Sequence, residues 1–176
     1  MTVPHLFAEL DFVVSAFIVH PRMAAVAMVD HKKLGCWLPP GGHVEIGEDT
    51  DKALKREVEE ETGLRHLQDY SVFQTTEQQR VTSLLRMAVV DNGEHETRVL
   101  YTPFAVDMHA FPPLPGHKHL AFVYILFSNK EELKLEGDAH HAVKWVTLEE
   151  AQKKSFKILP TVHQYMIEAV HCRWHI

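Results

Sequence analysis

Two cysteines in 176 residues, Cys36 and Cys172, are too few for a disulfide framework, so the chain is expected to stand on its own core in a reducing, cytoplasmic setting. No stretch approaches the roughly 18 uninterrupted apolar residues of a membrane-spanning helix. The opening MTVPHLFAEL has neither the basic start nor the long apolar run of a secretory signal. Positive charge is also short: 18 Lys and Arg stand against 24 Asp and Glu, a formal net charge of −6. That leaves no basic field for a phosphate backbone and argues against a long nucleic-acid partner. Repeats, linkers and low-complexity runs are absent. What remains is a single domain, residues 1–176, whose 45% hydrophobic content is enough for a sizeable core.

The negative charge is concentrated. Between Gly42 and Leu64, eight carboxylates (Glu45, Glu48, Asp49, Asp51, Glu57, Glu59, Glu60 and Glu61) meet three basic residues (Lys52, Lys55 and Arg56), a local charge of −5. Such a run is ordinarily a solvated helix face, but its spacing argues otherwise. At about 100° per residue, Glu57, Glu60 and Glu61 share the side of the helix that carries Ala53, Leu54, Val58 and Leu64, while Lys52, Lys55 and Glu59 fall opposite. Carboxylates on a half-apolar face repel one another and lose hydration unless a cation neutralises them. Mg²⁺ pairs a few carboxylates with waters and substrate phosphates, and so suits the set. Arg56 lies one turn before Glu60, where it can pair with that carboxylate.

Gly42, Glu48, Arg56, Glu57, Val58, Glu60, Glu61, Gly63 and Leu64 match every fixed position of the pattern G-x5-E-x7-R-E-U-x-E-E-x-G-U, with U aliphatic. This stretch resembles the Nudix box. The resemblance implies an α/β fold, a Nudix-type α/β/α sandwich around a mixed β-sheet. It also implies a hydrolase that cleaves the pyrophosphate linkage of a nucleoside diphosphate derivative with Mg²⁺ or Mn²⁺. Glu57, Glu60, Glu61 and the Gly42 carbonyl are then the metal ligands, and Glu57, Glu60 and Arg56 the catalytic residues, with Glu48 and Arg56 bracing loop and helix. The general base stays open between these glutamates and a loop carboxylate, Glu136 or Asp138. A small nucleotide is the expected partner, with no membrane, and a homodimer is compatible with the sequence. Some relatives of this kind use a proline or tyrosine soon after the box; Gln78 to Thr82 offer neither, which favours nucleoside triphosphates. A nucleotide-sensing module without turnover is the competing class, and an isomerase a remoter one; the intact box favours hydrolysis.

Along the chain, Leu10–His20 and the run after Pro21 read as adjacent strands, and Trp37 to Pro40 lead into the glycines. Asp49 or Thr50 should cap the acidic helix and Gly63 should stop it. Leu67–Glu77, Val81–Val90, the run from Val99 and the run from Leu120 read as strands, with an Asn-Gly hairpin signal in Asp91–Arg98. The proline-rich segment Phe111–His119 suggests a functional loop or lid. Ala142–Val146 is a short strand, Thr147 caps a following helix, and Leu159–Cys172 closes the chain as another. Of 14 histidines, the groups His117 with His119, His140 with His141, and His171 with Cys172 and His175 lack the paired spacing of a closed zinc site. His119 alone is retained, as a cleft residue able to donate to a phosphate. Cys36 reads as a small buried residue rather than a nucleophile.

Overall fold

A computed structural model of the chain describes residues 9–65, 71–88, 99–136 and 140–173, with the backbone alone for 83–88. Its spine is β1 (Leu10–His20), whose β-branched and aromatic residues suit a strand buried on both faces. Successive side chains alternate between faces. Val13, Phe17 and Val19 enter one core, and Val14, Ala16 and Ile18 the other. The chain continues through β2 (Ala25–His31), β3 (Cys36–Leu38), β4 (Gly41–His43) and α1 (Thr50–Thr62). It then forms β5 (Ser71–Val72), α2 (Thr76–Ala88), β6 (Ala105–Ala110), β7 (Lys118–Phe127), β8 (His140–Thr147), α3 (Leu148–Ala151) and α4 (Pro160–Cys172).

The described strands make one eight-stranded sheet running β3-β2-β1-β7-β5, with β4 on β1, β6 on β7 and β8 on β2. The β1–β7 pair is parallel and the other pairs are antiparallel. The sheet is therefore mixed, as expected. Ala53, Leu54 and Val58 of α1 pack into the core containing Val14, Ala16 and Ile18; Met166, Ala169 and Val170 of α4 pack into the core containing Val13 and Phe17. This is the α/β arrangement of a sheet between helices.

Two strand expectations change. The segment read as a strand over Val81–Val90 lies largely in helix α2, and among the described residues of the Leu67–Glu77 run only Ser71 and Val72 are strand (β5), while Thr76 and Glu77 open α2. The signal overlooked is a capping box: Thr75 Oγ1 accepts from the Gln78 amide at 3.2 Å, and Gln78 Oε1 accepts from the Thr75 amide at 2.9 Å. Glu77 and Arg80 add an ion pair one turn apart at 2.6 Å. The Phe111–His119 segment closes a compact turn: Phe111 N donates to His117 O at 2.9 Å and His117 N to Leu114 O at 3.0 Å. The Asp91–Arg98 hairpin signal lies outside the described residues. No helix among the described residues is long and apolar enough to cross a membrane.

Candidate active site

Helix α1 forms where its caps dictate. Asp49 accepts from the Lys52 amide at 2.9 Å, and Gly63, at φ 73°, ends the helix by donating to Glu59 O. The first site element is the β4 backbone, where Gly42 pairs with Val14 of β1. Both glycines are closely approached: a Cβ on Gly41 would lie 2.2 Å from the fixed Val14 carbonyl oxygen, and one on Gly42 would lie 2.3 Å from Glu57 Oε1, the end of a flexible side chain. The Glu57 carboxylate therefore rests directly on the Gly42 backbone.

Arg56 ties the loop to the helix. Its Nε and Nη2 donate to the two oxygens of Glu48 at 2.9 and 3.0 Å, and Nη2 also donates to the His43 carbonyl at 2.8 Å. Nη1 lies 2.7 Å from Glu57 Oε1 and 3.6 Å from Glu60 Oε2. The pairing with Glu60 expected from helical spacing is thus the longest of these contacts. Glu48 and Glu57 hold the guanidinium because loop and helix meet beneath it. The Arg56 hydrogen bond holds the Glu48 carboxyl below the usual range.

The helix glutamates are not equivalent. The side chains of Glu57 and Glu61 are 11% and 9% exposed, whereas that of Glu60 is 54% exposed. Burial first, and the Glu61 charge second, push the Glu57 carboxyl up to about 7, against the opposing pull of Arg56. Glu61 Oε2 accepts from the Gly41 amide at 2.9 Å, and Glu61 Oε1 pairs with His140 Nε2. Two buried carboxylates and a third in contact with solvent, beside a glycine backbone, make the oxygen-rich set that a hard divalent cation takes.

A family model described as "NUDIX domain" matches residues 10–168. The chain belongs to the NUDIX family. A crystal structure of a NUDIX-family hydrolase from Clostridium perfringens is 27% identical, with 92% of this chain and 96% of that one covered and a TM-score of 0.72. The bifunctional NMN adenylyltransferase/ADP ribose pyrophosphatase of Francisella tularensis, complexed with AMP and a Mn ion, shares the fold at 18% identity and TM-score 0.57, over 96% of this chain and 43% of that one. A 35-residue stretch is 63% identical to the m7GpppN-mRNA hydrolase NUDT17 of Xenopus laevis. That stretch spans 20% of this chain and only 12% of the Xenopus protein.

Outside the NUDIX helix, the loop candidates fall differently from expectation. Glu136 donates its amide to Glu60 O at 2.8 Å, but its carboxylate pairs with Arg65 and is directed to that cation. Asp138 lies outside the described residues. His119 is buried on the sheet face opposite α1: it is paired in register with Asp11, two residues from Val13 of the α4-side core, so it cannot reach a phosphate held by Glu57. His140, which the sequence reading set aside with His141, is the unexpected neighbour of the helix glutamates. It opens β8 opposite His31 of β2, and only that register brings it to Glu61. Cys36 is half-buried rather than buried, and its thiol is raised by that burial and by the Asp30 charge, as suits a residue that is no nucleophile.

Proposed function

We propose that this NUDIX protein is a Mg²⁺- or Mn²⁺-dependent pyrophosphohydrolase acting on a nucleoside diphosphate derivative, most simply a nucleoside triphosphate or similar small nucleotide. The observation that carries the reading is the convergence of Glu57 and Glu61 on the Gly41–Gly42 backbone, with Glu60 beside them near Arg56. The residues fit a divalent cation: a buried carboxyl pushed up to about 7 beside a second buried carboxylate is short of positive charge, despite Arg56. Glu57, Glu60, Glu61 and the Gly42 carbonyl would hold it. When bound, the cation offsets pyrophosphate charge and lowers the pKa of an attacking water.

The chain's own residues do the rest. Arg56, fixed by Glu48 and the His43 carbonyl, keeps the Glu57 carboxylate against Gly42. Glu60, reached by solvent, is the glutamate placed to take a proton from water. His140 and the Gly41 amide hold both oxygens of Glu61, fixing its orientation as a positioning pair does. Hydrolysis then places the water oxygen on phosphorus, breaks the bridging P–O bond and leaves two phosphorylated products.

The same reading takes a short nucleotide as partner and allows a homodimer. It assigns the protein to the cytoplasm, in keeping with two free thiols. The deciding experiment offers nucleoside triphosphates, ADP-ribose, a diadenosine polyphosphate and a capped dinucleotide with Mg²⁺ or Mn²⁺ and identifies the products. Turnover of none of them, with tight binding of one, would instead make the protein a sensing module.

A further inference from the structure

The sheet face opposite α1 carries a second set of donors, of different chemistry. Asp11 of β1 pairs in register with His119 of β7, and His43 of β4 pairs with Val13 of β1. Paired residues share a face, and β1 residues two apart do as well. Asp11, His43 and His119 therefore project together from the α4-side face. The neighbouring Gly42 pairs with Val14 and belongs to the α1 side. His117 joins from the compact turn before β7.

The geometry is close. His43 Nε2 and His117 Nε2 each lie 3.2 Å from Asp11 Oδ2. One ligand atom each from Asp11, His117 and His119 falls within 4.8 Å of the other two. Asp11 is completely buried, His117 is 2% and His119 8% exposed. His119 Nε2 is buried without a hydrogen-bond partner among the described residues, and Phe111 stacks on the ring at 4.6 Å, fixing its plane. A buried imidazole nitrogen without a partner is costly, and a carboxylate and two imidazoles gathered on one point are a donor set with which a cation relieves that cost.

We propose that Asp11, His117 and His119 form a site for a transition-metal dication of the Zn²⁺ class, with His43 orienting the Asp11 carboxylate, separate from the glutamates of α1. Two imidazoles and a carboxylate match the preferences of zinc, whereas Mg²⁺ prefers oxygens. Such an ion would pin the first residues of β1 to the β6–β7 turn. Sequence spacing conceals the site because its carboxylate precedes its histidines by about a hundred residues and is brought to them only by the parallel β1–β7 register.

The test uses the untagged full chain, stripped with chelator and titrated with Zn²⁺ in the presence of excess Mg²⁺. The expected result is one tightly held equivalent, weakened at least 100-fold by His117→Asn and by Asp11→Asn and unchanged by Glu60→Gln. X-ray absorption of the Zn²⁺-loaded wild-type protein, which requires no variant to fold, should show imidazole scattering at about 2.0 Å. Three results would each overturn the proposal: no tight equivalent, an equivalent lost in Glu60→Gln but kept in His117→Asn, or an all-oxygen shell without imidazole. A buried Asp–His ion pair without metal would give the first of these.

Discussion

His140 Nε2 and Glu61 Oε1 meet across 79 positions of sequence, in a buried contact that joins the first residue of β8 to the last turn of α1. The other Glu61 oxygen is held by Gly41, so the carboxylate has no freedom to turn once both partners are present. His140→Ala should release one oxygen and lower both apparent Mg²⁺ affinity and turnover, by about 10- to 100-fold for a partner of this kind. Metal titration of initial rates checks this. A shift in Mg²⁺ dependence, with little change in nucleotide KM at saturating metal, separates a positioning role from general structural damage.

Glu60→Gln should lose at least ~10²-fold in turnover while remaining folded, because its side chain is half in solvent and the change preserves volume. Glu61→Gln should lose as much activity and also some stability, since it disturbs the contacts with Gly41 and His140. Near-wild-type rates for both variants at saturating Mg²⁺ would remove these residues from the site.

Gly42→Ala is a more selective probe. The new Cβ would collide with the far end of a flexible side chain, Glu57 Oε1 at 2.3 Å, which can move. The variant should fold with a small change in Tm yet lose most activity, because the moved carboxylate is the one the site needs against β4. Thermal unfolding and initial rates on the same preparation decide it; loss of both together would mean that the backbone, rather than Glu57, had given way.

Arg56→Lys should unfold at lower denaturant and lose activity. A lysine ammonium cannot reproduce the fork that meets both Glu48 oxygens, the His43 carbonyl and Glu57. Leaving half-buried carboxylates with one point charge should cost about 1–3 kcal/mol. Urea unfolding in metal-free buffer measures this, and a difference within error would show that the fork adds nothing to the fold.

The candidate site was legible where its geometry is local. Glu57, Glu60 and Glu61 share a helix, so 3.6-residue periodicity alone grouped them, and Asp49 and Gly63 marked that helix's ends. The resemblance of the box supplied the family and the proposed activity, which periodicity could not. What stayed hidden depends on register: His140 reaches Glu61, and Asp11 reaches His117, only through strand pairings that no window of sequence contains. Exposure within the triad was equally hidden, because periodicity put Glu60 on the apolar side whereas the helix leaves it half in solvent. Helix α2 was misread for a local reason: Val81, Leu84 and Leu85 resemble a strand until the Thr75–Gln78 cap is noticed.

The crowding of charge on α1 predicts a pH-dependent response to metal. Glu57 is paired with Arg56 and crowded by the charges of Glu61 and Glu60, and burial with them pushes its carboxyl up to about 7, well above the ordinary 4.5. The folded protein therefore binds more protons than the unfolded chain between these two values. In metal-free buffer, Glu57 should make stability fall as pH rises from about 4.5 to 7 and level off above that, for a total of roughly 3 kcal/mol from this group. Mg²⁺ binding to the folded carboxylates should expel the proton, raise Tm and reverse the trend, so apparent Mg²⁺ affinity should increase as pH rises towards 7. Calorimetric titration of Mg²⁺ at pH 6 in two buffers of different ionisation enthalpy reads the proton directly. The expected outcome is a buffer-dependent heat in the wild-type protein that largely disappears in Glu57→Gln. A buffer-independent wild-type heat would mean that Glu57 is already ionised, and that Arg56 outweighs burial and the neighbouring glutamates.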